Sequence, residues 1–196
     1  MTSLPIRVSA IVAAAFFWCA YFATDARATS VLPIELDQIV ASAQHIAHVR
    51  CVSNTVEADP NVRVVTVSTF VVLDRAKGAP GATFTVRQVG GELNGVVIDY
   101  HLPTFKVGDE YVLFMPPASR LGLASPVGLA QGVFNVMPRR AGKEVGNGRD
   151  FAELLPHANS SNVPSRVIAR LQRADATHAR VDLADFMSMV RSRGRR

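Results

Sequence analysis

The stretch Val62-Arg63-Val64-Val65-Thr66-Val67-Ser68-Thr69-Phe70-Val71-Val72-Leu73 decides the fold class. Nine of its twelve residues are β-branched or aromatic, types that suit a pleated, half-buried surface. Apolar side chains occupy both parities: Val65, Val67, Val71 and Leu73 on one, Val64, Phe70 and Val72 on the other. A long strand buried on both faces fits one that bends and serves both sides of a small barrel. Asp59-Pro60-Asn61 sets a turn before it. Upstream of that turn, residues 46–56 read as a partner strand with Ala47, Val49 and Cys51 on one face.

Downstream, Lys77-Gly78-Ala79-Pro80-Gly81 is a turn cluster, and residues 83–89 alternate as a strand. Asn94-Gly95 is the favoured dipeptide of a tight hairpin, whose two central residues need positive φ. The hairpin returns through residues 96–100. Lys106-Val107-Gly108-Asp109 turns into a strand over 110–115, which Pro116-Pro117 stops because proline donates nothing to a ladder. Residues 133–137 form the last expected strand. The polar, Gly- and Asn-rich residues 139–165 read as a loop or linker.

Helices flank this β region. Leu36, Ile39, Val40 and Ala43 follow helical spacing after Pro33. Val163, Val167, Ile168 and Leu171 mark a second helix. Leu183, Phe186, Met187 and Val190 mark a third, with Asp182 as its N-cap and Gly194 past its end. The pattern predicts a mainly β fold, a small OB-like barrel, closed or partly open, with a short N-terminal helix and C-terminal helices. The expected organisation is a signal peptide over 1–28, a β domain over 29–138, a linker over 139–165 and a basic helical segment over 166–196.

The N-terminus reads as an export signal. Arg7 supplies positive charge, residues 8–23 are apolar, and Ala26-Arg27-Ala28 fits the small-residue cleavage pattern, which leaves Thr29 first. The alternative is an uncleaved anchor, with Trp18 and Tyr21 in the membrane interface. The expected location is periplasmic or secreted, with membrane contact only through the signal during export. Cys19 leaves with the signal, so Cys51 is the sole cysteine of the mature chain and has no internal partner.

The net charge of +5 is unevenly placed. Residues 29–160 carry 11 Lys/Arg against 12 Asp/Glu, whereas residues 161–196 carry 8 against 3. The basic end suits weak contact with an anionic surface. No aromatic residues interleave its arginines as base-stacking platforms would, and a nucleic-acid partner is not expected.

The succession 42–49 (SAQHIAHV), a long Val/Thr strand, Lys77-Gly78, Thr83-Phe84-Thr85-Val86 and 105–114 (FKVGDEYVLF) resembles a group of uncharacterised exported bacterial proteins. It is similar, more distantly, to netrin-like domains, which include the tissue inhibitors of metalloproteinases. The resemblance spans residues 35–137 and implies an OB-like five-stranded barrel flanked by helices. Those inhibitors begin with a cysteine that chelates the protease's zinc. The expected start here is Thr29-Ser30, so the inhibitory residues do not carry over.

Candidate chemistry is sparse. His45, His48 and Cys51 are metal-ligand types, but on a strand His48 faces away from the other two. Asp99 and His101 place an acid beside a base, with Ser119 or Ser125 as conceivable nucleophiles, yet no G-x-S-x-G elbow is present. Gly90-Gly91 lacks the G-K-[ST] ending of a phosphate loop. No catalytic, cofactor-binding or metal-binding residue is assigned. The expectation is a non-enzymatic exported module that binds a protein or glycan through loops 90–95, 101–106 and 116–128. A His-based hydrolase and a surface-adhering structural protein are the alternatives.

Overall fold

A computed structural model describes residues 32–148, 154, 163–171 and 180–195. The described residues from Pro33 onward form one compact unit. The expected signal, with Ala26, Ala28 and Thr29, lies outside the described residues, as does much of the expected linker. Among the described residues no helix is long and apolar enough to cross a membrane.

Helix α1 (Leu36–Ser42) opens the unit and buries Leu36, Ile39 and Val40, the positions its spacing predicts. Glu35 and Gln38 form a reciprocal capping box at its start. Strands β1 (His45–Asp59) and β2 (Arg63–Lys77) follow as a long hairpin. At its turn Asp59 Oδ1 accepts from the Asn61 amide at 2.8 Å. Strand β3 is Thr83–Val89. A small hairpin joins β4 (Gly91–Leu93) to β5 (Val96–Ile98). Asn94 (φ 51°) and Gly95 (φ 78°) form its tip in the left-handed region, as the dipeptide predicts. Strand β6 spans Glu110–Met115, and β7 Val133–Arg139 follows a 3₁₀ turn.

A further strand over 142–146 corrects that part of the reading of 139–165 as linker. A two-residue turn leads from β7 into β8 (Gly142–Gly146), which pairs with β7. Then come α2 (Ser165–Leu171), β9 (Val181–Asp182) and α3 (Leu183–Gly194). Asp182 caps α3 as expected, accepting from the amides of Ala184 and Asp185 at 2.9 and 3.3 Å. Gly194 is the last residue of the helix rather than the one beyond it.

The result is a mainly β fold built on one antiparallel sheet of seven strands, ordered β3-β2-β1-β6-β7-β8-β9. Among the described residues no pairing joins β3 to β9, so the ladder does not close. The edge at β3 is covered locally, where the Ala124 amide donates to Arg87 O at 2.9 Å.

Alternation sends the central strands' side chains into two cores. Ile46, Val112, Phe114 and Phe134 meet α1, α2 and α3 on one face. Ala47, Val49, Cys51, Tyr111, Leu113 and Met115 join Phe70, Val86 and Phe105 on the other. Strand β6 is therefore buried on both sides, which explains why Tyr111 to Met115 are uninterruptedly apolar. The expected separate basic tail is also corrected. Phe186 is fully buried and its ring lies 4.8 Å from Phe134 and 6.3 Å from Phe114. The apolar stripe of α3 thus completes the first core.

Candidate functional site

A cleft of about 390 Å³ opens on the face of the sheet that carries the second core. Its position follows from strand register. Along β2, the inward positions Phe70, Ser68 and Thr66 pair with Phe84, Val86 and Gln88 of β3. The first of these pairs stacks within the core, with ring centroids 5.4 Å apart. In the next pair Val86 stays in the core while Ser68 is polar, and in the third both Thr66 and Gln88 are polar. A face that starts as core therefore ends as the polar floor of a cavity.

Asn54 extends that floor from β1, beyond a register irregularity between Cys51 and Ser53. Its Nδ2 donates to Phe105 O at 2.7 Å, which ties β1 to the loop over the core. Thr66 Oγ1 donates to Gly90 O at 2.8 Å and ties β2 to the base of the small hairpin. Two glycines make that crossing possible. A Cβ on Gly91 (φ 134°) would stand 2.7 Å from Thr66 Oγ1, and one on Gly90 (φ 97°) 2.6 Å from Ile98 O. Gly90-Gly91 thus serves close packing of the hairpin.

The walls combine apolar and acidic groups. Leu102, Pro103 and Phe105 of one loop line the cleft together with Val97, Ile98 and Tyr100 from β5 and the segment after it. Tyr100 is 59 % exposed at the rim. Glu92 and Asp99 bring two carboxylates, and among the described residues no Lys or Arg lines the cleft. Gln88 is 5 % exposed, and its Nε2 has no hydrogen-bond partner. A buried donor left without an acceptor is costly, and this one belongs to a side chain that lines the cleft.

The expected loops 90–95 and 101–106 both contribute to this cleft; loop 116–128 does not line it. Ser68 and Gln88 were not singled out by the sequence reading. The available signal was polar residues on a strand face that is otherwise apolar.

The other sequence candidates fall apart or serve structure. Cys51 is fully buried against the second core, while His48 points to the opposite face. Burial pushes the Cys51 thiol up. His45 Nδ1 is buried without a partner, directly under Gly78. Among the described residues no three His, Cys, Asp or Glu side chains come together as a metal site. His101 is almost fully exposed and pairs with Asp99 at 3.1 Å. Ser119 Oγ accepts from the Leu123 amide at 3.1 Å, within its own loop.

A second polar cluster lies on the helix side of the sheet, across the interior strands β1, β6 and β8. Glu110 Oε2 meets His48 Nε2 at 2.7 Å and Lys143 Nζ at 2.6 Å, and Oε1 accepts from Arg50 at 2.7 Å. Burial pushes the Glu110 carboxyl up, but the hydrogen bonds from Lys143, Arg50 and His48 outweigh it and hold the group at about 2. Burial holds His48 below its ordinary value despite the neighbouring carboxylate. Its three basic partners saturate Glu110, so this cluster joins β1, β6 and β8 rather than presenting a free acid or base.

Comparison of the chain with protein-family models, curated proteins and solved structures gives no match.

Proposed function

We propose that this protein is an exported, non-enzymatic binding module that takes its partner in the cleft beside the β4–β5 hairpin. The single observation that carries the reading is the unpartnered Gln88 amide buried in a concave site of about 390 Å³. Pinning of the walls by Asn54 and Thr66 favours a preformed site. The mainly β sheet with helices on one face is compatible with an OB-like, netrin-like architecture, in which a sheet face and adjoining loops hold the ligand. The partner is a protein or glycan of the cell envelope or of the surroundings.

The test is capture from native envelope and external fractions by the immobilised full chain, with retained protein and sugar both analysed. Wild type should retain one partner at least tenfold better than Tyr100→Ala and Gln88→Leu. Equal retention by all three proteins, or turnover of the captured molecule, would overturn the reading.

A further inference from the structure

We infer that the cleft recognises an uncharged sugar residue, with Gln88 as the donor that reads its oxygen; this rests on the binding-module reading above. The cleft asks for three properties in one ligand. Gln88 Nε2 needs an acceptor. Glu92 and Asp99 are acceptors when ionised; Asp99 already takes two bonds from His101, so Glu92 is the one that calls for a donor. Tyr100 and Val97, 59 % and 67 % exposed, offer an apolar surface at the rim. A sugar hydroxyl both accepts and donates, and the ring's C–H face is apolar enough to lie on a tyrosine.

Charge narrows the class. Two carboxylates without a lining Lys or Arg among the described residues repel phosphorylated, sulfated and uronic sugars. Asp99 is already engaged by the His101 ring and by the His101 amide, at 3.1 and 2.6 Å, which lowers its call on a cationic ligand. An extended peptide is also disfavoured. Peptides that add to a sheet pair with a strand edge, whereas this cleft is floored by side chains from the faces of β1, β2 and β3.

The floor is arranged so that Gln88 discriminates. The amide of Asn54 and the hydroxyl of Thr66 already donate within the fold, to Phe105 O and Gly90 O. The Gln88 Nε2 donates to nothing within the fold, so its contribution appears only when ligand is present. Replacing it with leucine therefore removes recognition without removing an internal hydrogen bond. The fold should be unharmed or stabilised, as at other sites where function leaves a polar group unsatisfied.

The experiment is a titration of the full chain followed by NMR of side-chain amides and by calorimetry. The neutral probes are oligosaccharides of glucose, galactose, mannose and N-acetylglucosamine. Trigalacturonate is the acidic probe, spermidine the cationic one and a neutral hexapeptide the peptide control. At least one neutral oligosaccharide should bind and move the Gln88 amide resonances, with affinity little changed by added salt. Gln88→Leu should weaken that binding about tenfold while its melting temperature stays level or rises. Tyr100→Ala, a rim substitution, should weaken it without changing stability. Failure of every neutral oligosaccharide, or tighter binding of trigalacturonate, spermidine or the hexapeptide, overturns the sugar assignment. If envelope capture still depends on Tyr100 and Gln88 in that event, the binding-module reading stands; if capture fails too, both fall.

Discussion

The Lys77 ammonium donates to the Val40 carbonyl at 2.7 Å, so the end of β2 caps the last turn of α1. Val40 O is one of the carbonyls a helix leaves without an internal partner. The next residue, Gly78, has φ 70°, and a Cβ there would stand 2.4 Å from His45 Nδ1 and 2.5 Å from Gln44 O. The adjacent pair thus joins α1, β1 and β2, and gives the Lys77-Gly78 motif a structural meaning. Lys77→Met should cost about 1 kcal/mol through the lost cap. Gly78→Ala should cost more, about 2–4 kcal/mol, through strain at positive φ and collision with backbone. Urea denaturation of both variants checks the order; equal costs would mean that Gly78 is not packed as described.

The Glu110 cluster predicts an acid-sensitive fold. The Glu110 carboxyl, held at about 2 in the fold against an ordinary 4.5, contributes stability that is full above 4.5 and lost as pH falls towards 2. His48 is held below its ordinary 6.5 by burial, so the unfolded chain binds its proton more readily. Its contribution therefore also declines as pH falls below 6.5. Both slopes have the same sign, and stability should rise with pH across the two windows. His48→Gln should flatten the upper window and leave the lower one steep. Glu110→Gln should flatten the lower one and cost about 1–2 kcal/mol at neutral pH, a modest loss because Arg50 and Lys143 remain nearly half exposed. Unfolding free energies measured from pH 3 to 8 check both. A stability that falls with rising pH would contradict the cluster.

Elements bounded by turn chemistry were legible in the sequence. Strand β6 starts after Gly108-Asp109 and ends before Pro116, and the reading matches its limits. Asn94-Gly95 announced its hairpin because few other residues tolerate both positive φ values. Strand β8 was not legible. Its sequence GKEVG offers Val145 as its one large apolar core residue, and it is a strand because β7 and β9 flank it. The loops around the cleft were legible from their glycines and prolines. The floor was not, because alternation assigns Ser68 and Gln88 to a face but does not say where that face loses its cover. The role of α3 was masked by its charge: arginines dominate the composition of residues 161–196, while four apolar side chains decide where the helix goes.

The reading of residues 1–28 as a removable signal predicts a mature chain that begins at Thr29. Ala26 and Ala28 meet the requirement for small side chains, and the apolar run over 8–23 is shorter than the 18 or so residues of a typical span. Amino-terminal sequencing of protein recovered from the exported fraction should read Thr-Ser-Val. A chain that begins at Met1 would identify the anchor instead.

The C-terminal helix should behave as core and not as a detachable basic device. Phe186, Met187, Met189 and Val190 are all buried in the first core, against Phe114 and Phe134. Two of its arginines are already committed: Arg191 pairs with Asp74, and Arg193 with Asp37 on α1. Phe186→Ala should therefore cost about 3–5 kcal/mol, the range for a buried phenylalanine whose site cannot collapse. A chain that ends at Ser160 should fail to fold, judged by lost near-ultraviolet dichroism and by rapid proteolysis. Binding of the full chain to anionic vesicles should be weak and vanish at physiological salt, because paired arginines have less charge to offer and exposed ones are screened. A folded chain lacking residues 161–196 would restore the separable tail. Tight, salt-resistant vesicle binding by the full chain would show that the ion pairs to Asp74 and Asp37 open at a surface.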